Sequence, residues 1–329
     1  MKTTKIMMLV LLAAMLAVFT AACGKNNNNG NNASPAASEP AATASASSSP
    51  SAPASEPAVA TTKTIKDGLD RDVEIPTNPQ RIIVLGNYGE IASLGIKPIG
   101  TIGYYLDKYG AEKTAGVENV GQDEADLEKV LALKPDLIII PSYFKPEVLE
   151  GLSKIAPTIA TKWGLLPLEH LHILAGWLGK EAEEQAWLAQ YNEKAAQAKE
   201  QLKPFNLEGQ KAVVIQFWSK KIYQHATGVF TPLFKDIGFA PTEKEAAVTV
   251  TTEISEEAVV DYVADADKLF ILVDGQADID TYNTLKASAW KNIPAVKNDQ
   301  VYLVNSARWN DYSTAAMEWM LEDLVKIIK

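Results

Sequence analysis

The chain has three histidines, His170, His172 and His225, and these are its natural candidates for a base or a nitrogen ligand near neutral pH. His170 and His172 stand two apart in a stretch of helical pattern, so they point to different faces. A metal site or catalytic base built on them would need partners from distant segments. No HExxH, GxSxG, phosphate-loop or GxGxxG pattern occurs. Cys23 is the sole cysteine, which excludes an intramolecular disulfide and a thiolate metal cluster. Nothing here argues for an enzyme. What the residues do supply is aromatic and polar groups just beyond short apolar runs: Asn87 and Tyr88, Tyr104 and Tyr105, Tyr143 and Phe144, Trp218 (with Gln216 in the end of the run before it), Arg308 and Trp309, with Trp163 further along. Singly, each reads as core packing or a surface aromatic. As a set they suit a bulky, amphipathic, largely neutral ligand held between aromatic walls. Arg308 would donate hydrogen bonds to acidic or carbonyl oxygens of that ligand.

An α/β framework must position these groups. RIIVLG (81–86), Ile99 to Ile102 and Leu137 to Ile140 are short continuous apolar runs of the kind found in buried parallel strands. Glu90 to Leu94 and Leu127 to Leu133 read as helices between them, the first stopped by Gly95. Thr64 to Ile75 alternates around Asp67-Gly68 and predicts a hairpin. The pattern restarts after Pro204, with AVVIQF (212–217), a short helix stopped by Gly238, a helix over Ser255 to Val263, KLFILV (268–273), VYLV (301–304) and a C-terminal helix from Ser313. Strand, short helix, Gly stop, helix and strand thus occur twice, as in an internal duplication. Between the copies runs EAEEQAWLAQYNEKAAQAKEQLK, Glu181 to Lys203, free of Gly and Pro, acidic at its start and basic near its end. At 1.5 Å per residue it would be about 35 Å long. The expected fold is α/β: two lobes, each a central mostly parallel sheet flanked by helices, joined by one long helix. The first lobe would be 61–165, the connecting helices 166–204 and the second lobe 205–329. Ligands in such sheets bind at the strand C-termini.

Residues 1–22 read as a targeting segment, with Lys2 and Lys5 before an apolar run and small residues leading to Cys23. The run from Ile6 to Phe19 is roughly fourteen residues, short for a membrane span. Lipidation of Cys23 is the expectation; a secreted protein that happens to carry a cysteine there is the alternative. Thr20 departs from the Leu usual at that position of a lipoprotein signal. Residues 23–60 are a low-complexity run of Asn and Gly, then Ala, Ser and Pro, a flexible tether with no periodic apolar face. The formal charge is −10, and losing residues 1–22 removes two lysines and no acid. Such a chain is a poor partner for nucleic acid or an anionic surface.

The chain resembles the substrate-binding lipoproteins of iron-siderophore ABC importers from Gram-positive bacteria. The matching segments are RIIVLGNYGEIASLGIKPIG (81–100), Asp126-Leu127-Glu128 with KPDLIII (134–140), IAPTI (155–159), LFKDIGF (233–239), and Ser288-Ala289-Trp290 through Val301-Tyr302. The resemblance covers essentially all of residues 61–329, with the segments in the family's order. The resemblance implies two α/β lobes on one long helix and a monomer anchored by lipid at the extracellular face of the cell membrane. It implies a ferric siderophore as ligand, an ABC permease as partner, and iron held wholly by the siderophore, with no protein metal ligand or cofactor. It also implies one exposed carboxylate on each lobe for the permease. Glu90 matches in the first lobe. In the second, Leu233 occupies the corresponding place, and Asp236, Glu243 or Glu253 would substitute. Catecholate binders of the family gather basic side chains at the second-lobe strand exit. Here that exit is Gln216-Phe217-Trp218, which points to a neutral hydroxamate. Cobalamin- or haem-binding relatives are the alternative, haem needing His225 or a Met as axial ligand. A metal chelatase is a remoter one, needing the histidines to converge.

Overall fold

The computed structural model describes residues 61–329. The targeting segment, the tether and Cys23 lie outside the described residues. The chain opens with an antiparallel hairpin, β1 (Thr62–Lys66) and β2 (Asp72–Pro76). The Asp67 carboxylate ties its turn, accepting from the backbone N–H of Leu69 and Arg71 and from Ala160 N–H across the domain.

The first sheet follows from β3 (Ile82–Val84), β4 (Gly100–Thr101), β5 (Glu118–Asn119), β6 (Leu137–Pro141) and β7 (Thr158–Thr161). Its order is β5-β4-β3-β6-β7 and every pairing is parallel. β3 and β6 are buried throughout, as continuous apolar runs in a doubly covered sheet must be. The helices that cover it are α1 (Tyr88–Ser93), α2 (Gly103–Lys113), α3 (Leu127–Ala132) and α4 (Pro146–Ser153). Then come α5 (Pro167–Leu178), closed by Gly179 at φ 65°, and the long helix α6 (Glu181–Leu202) of 22 residues. Trp187, Tyr191, Ala195, Ala198 and Leu202 form the buried stripe of α6, at the three- and four-residue spacing its sequence predicts.

The second sheet is built from β8 (Lys211–Trp218), β9 (Lys221–Gln224), β10 (Ala240–Pro241), β11 (Thr252–Ile254), β12 (Lys268–Val273) and β13 (Val301–Asn305). Its path is β11-β9-β8-β12-β13, with β10 also beside β8. β8, β12 and β13 are parallel, but β9 returns antiparallel through Ser219 and Lys220, both at positive φ, so the two copies of the repeat have diverged. Its helices are α7 (Glu243–Ala246), α8 (Glu256–Val263), α9 (Gln276–Ala287), α10 (Pro294–Lys297), α11 (Ser306–Trp309) and α12 (Thr314–Ile327). The segment Pro232–Ile237, expected as a short α-helix, is a π-helical turn ended by Gly238 at φ 100°.

One core runs through both lobes. It holds Val84 and Ile139 of the first sheet, Val214 and Phe270 of the second, and the stripes of α6 and α12. α12 therefore does more than close the second lobe: it lies along α6 and reaches α1 and α5. Gly89 makes that approach possible, because a Cβ there would meet the Ser313 side chain and the Tyr109 hydroxyl within 2.8 Å. The long helix is thus not the sole tie between the lobes.

Candidate functional site

The strand C-termini of the first sheet open onto a small cavity. Asn87 and Tyr88 follow β3, Tyr105 follows β4, Tyr143 follows β6, and Lys162 and Trp163 follow β7; with Glu90, Thr161 and His170 they form one side. Asp311, Tyr312 and Ser313, from the loop between α11 and α12, form the other. The space is about 70 Å³. Outside it, a groove of about 420 Å³ is lined by Tyr104, Phe144, Lys145 and Val148 and shares Tyr105 and Tyr143 with the cavity.

The walls are aromatic. Trp163, 64% exposed, stacks across the mouth on Tyr312, with ring centres 6.4 Å apart and planes 30° from parallel. Tyr143, 57% exposed, meets Trp163 edge-on at 4.9 Å. Tyr105 stacks on the buried Tyr88 at 5.9 Å, so Tyr88 backs the wall more than it faces the opening. Asn87 adopts a left-handed backbone (φ 58°), and its Oδ1 accepts from Thr161 Oγ1 at 2.6 Å.

The floor is polar. Lys108 of α2 pairs with Asp311, and Tyr109 OH donates to the same carboxylate at 2.7 Å. Burial pushes the Tyr109 hydroxyl well above its usual pKa, and the Asp311 charge adds to this. Thr314 N–H, at the start of α12, donates to Glu90 Oε1 at 3.2 Å, while Glu90 Oε2 has no partner. Enclosure pushes the Glu90 carboxyl up to about 8, with Asp311 reinforcing and the Thr314 bond opposing. His170 donates from Nε2 to the Lys162 carbonyl at 2.9 Å, and its buried Nδ1 has no partner.

Several expected site residues lie elsewhere. Trp309 is fully buried between Phe230 and Phe270, and its indole N–H donates to Asp323. Arg308 is turned to α12, where its guanidinium bonds Asp323 and Glu322 and stacks over Trp319. Both follow from α11, an extra helical turn after β13 that redirects the two side chains. Trp218 is exposed beside Tyr223 and does not line the cavity. Gln216 is buried one layer behind, bonded to Ser306, His225 and Asn310. Glu90 was expected as an exposed docking carboxylate; it is 0% exposed, because α12 covers α1. Asp236 is half-buried and accepts from Tyr191 OH of the long helix, so it is not free either. The histidines go to three places: His170 at the cavity, His172 on the surface against Glu184, and His225 behind Gln216 with both ring nitrogens engaged. Sequence reading missed Asp311 and Tyr312. Their signal was weak: a polar aromatic run just before the C-terminal helix.

Residues 86–307 match the family model described as periplasmic binding protein. The chain is 33% identical over 282 residues to the iron(3+)-hydroxamate-binding protein FhuD of Bacillus subtilis strain 168, covering 82% of this chain and 87% of that one. It is 28% identical over 301 residues to the probable siderophore-binding lipoprotein YfiY of the same strain, covering 83% and 90%. Among solved structures, the FhuD protein from S. pseudintermedius superposes with a TM-score of 0.67 at 25% identity, covering 81% of this chain and 98% of that one.

Proposed function

Because the chain belongs to the periplasmic binding protein family, we propose that it captures a ferric siderophore of the hydroxamate type and delivers it to the permease of an ABC importer. The carrying observation is the aromatic mouth: Trp163 and Tyr143, at strand C-termini, are exposed where core aromatics would be hidden, and the half-buried Tyr312 faces them from the loop before α12. Large aromatic faces flank a bulky, amphipathic cargo at low entropic cost. Lys162 in the cavity and Lys145 in the groove stand singly and do not make the basic cluster a polyanionic catecholate would favour. The inner cavity is smaller than the roughly 300–1,000 Å³ of drug-sized ligand sites, and the adjoining groove falls within that range. The siderophore would therefore rest in the groove and on the aromatic mouth, with its polar periphery toward the floor. Iron is cargo, coordinated by the siderophore.

Anchoring would be through lipid on Cys23 at the extracellular face, in keeping with relatives named as lipoproteins. Docking to the permease is reassigned to Glu128 and Glu257. Each is exposed in the first turn of the helix that precedes a central strand, α3 before β6 and α8 before β12, so the duplication places them at equivalent sites on the two lobes.

A fluorescence screen of the purified protein tests the ligand class. Saturable quenching by ferrioxamine B or ferrichrome is expected, with no Soret shift on adding haem. Quenching by ferric catecholates alone, or by cobalamin alone, would overturn the hydroxamate assignment.

A further inference from the structure

Tyr312 carries a conformation that its residue type rarely adopts, φ 51°. Such a backbone persists for a bulky aromatic only where the surroundings over-determine it, and those places cluster at ligand clamps. The constraint is visible at the hydroxyl. Tyr312 OH lies 2.8 Å from His225 Nδ1 and 3.0 Å from Thr251 Oγ1. His225 is itself held: its Nε2 is 2.9 Å from Gln216 Oε1, and its ring stands edge-on to Phe230 at 5.9 Å. Gln216 donates through Nε2 to Ser306 Oγ at 2.9 Å, and its Oε1 also receives Asn310 Nδ2 at 3.2 Å.

These partners settle the ring's proton. Gln216 Oε1 can only accept, so His225 Nε2 carries the hydrogen and Nδ1 is left as an acceptor. Two hydroxyls reach Nδ1, Tyr312 OH at 2.8 Å and Thr251 Oγ1 at 3.0 Å. The nearer, Tyr312, is assigned as the donor, and its ring stacks on Trp163 across the mouth. Burial holds the His225 pKa down, at about 4, so the ring stays neutral and the tautomer stays fixed at ordinary pH. The histidine touches the second-lobe framework on one side and the mouth aromatic on the other.

We propose that His225 is a positioning residue for ligand binding: as the Nε2–H tautomer it accepts the Tyr312 hydroxyl and sets that ring as the second-lobe half of the aromatic clamp facing Trp163. This rests on the clamp being the siderophore site. It goes further by assigning a role to a buried histidine that does not touch the ligand.

The test compares H225L, H225N, Y312F and the double variant H225L/Y312F in the full protein, with ferrioxamine B as probe. Losing one buried hydrogen bond should weaken binding by about tenfold in H225L and in Y312F. The double variant should lose no more than the worse single one, since both remove the same link. H225N, which keeps an acceptor near Nδ1, should recover most of the loss. Additive losses, or full affinity in H225L, would overturn the proposal. A ligand-free readout stands beside this: ring nitrogen NMR should show the Nε2–H tautomer, and Y312F should shift the Nδ1 resonance. An unmoved Nδ1 resonance, or the opposite tautomer, would also overturn it. If the wild-type protein binds no ferric hydroxamate, the ligand assignment falls, while the NMR arm still decides the positioning.

Discussion

Lys108 Nζ lies 2.5 Å from Asp311 Oδ1, and their side chains are only 5% and 4% exposed. The pair joins α2 of the first lobe to the loop before α12 of the second. Burial alone would lower the Lys108 pKa, but the Asp311 charge and hydrogen bond outweigh it and the net shift is upward. Together with Thr314 N–H on Glu90 and Tyr109 OH on Asp311, it makes a polar seam under the ligand cavity.

Removing one half of such a pair leaves an uncompensated buried charge. K108M should therefore destabilise the protein by about 3–5 kcal/mol. Replacing both halves, as in K108M/D311N, should cost less than K108M alone, because no charge is then stranded. Urea unfolding of the two variants checks this; a double variant no more stable than K108M would mean that the stranded Asp311 charge is not the source of the loss.

Glu245 gives the protein a pH dependence of its own. It is 0% exposed and neither carboxylate oxygen has a bonded partner; burial pushes it up to about 9, with the nearby Val214 N–H opposing weakly. Its folded pKa is raised above the ordinary 4.5, so its contribution is fully present below pH 4.5 and lost as pH rises toward 9. Glu90, raised to about 8, acts in the same direction over a narrower window. E245Q should match the wild type in stability near pH 5 and exceed it at pH 9. Thermal melts across that range are the measurement, and parallel curves for the two proteins would refute the buried carboxyl as the cause.

Trp163 is the reporter expected for ligand binding. W163F should lose most of the fluorescence quenching by a ferric hydroxamate, and W163A should weaken binding by about tenfold or more, since a base-like stacking face is worth roughly 1–3 kcal/mol. Neither should change the melting temperature much, because the side chain is 64% exposed. W290F, at a fully buried position away from the cavity, should leave quenching intact. Loss of quenching in W290F with retention in W163F would move the site.

The framework was legible where burial is two-sided. KLFILV forms β12 with every residue buried, and the bounds and stripe of α6 agree with its sequence to within a residue. α2 was not legible: its aromatic run is broken by Gly110 at φ 76°, so no clean helical period survives. The β8–β9 hairpin was hidden because Ser219 and Lys220, at φ 52° and 62°, turn it without glycine or asparagine. First-lobe site residues could be read because the position after a buried strand is near the ligand end of the sheet. Side-chain direction could not. Arg308 and Trp309 follow a strand as well, but one turn of α11 swings them away. Glu90 is enclosed by a helix more than two hundred residues later, a contact carried by no local pattern.

Surface charge on the two lobes should control delivery and leave capture alone. Glu128 and Glu257 sit on helices N-capped by Asp126 and Ser255, which fixes both carboxylates at the surface. Leu127 and Leu131, 41% and 60% exposed, flank Glu128 and give that face an apolar component. E128R and E257R should each reduce siderophore uptake in cells by about tenfold, as expected when a charge pair at an interface is reversed. Affinity for ferrioxamine B in solution should not change, because both residues lie outside the cavity and the groove. Uptake at the wild-type rate in the double variant would exclude these carboxylates as the permease contact, and reduced ligand affinity would show instead that the variants disturb the lobes.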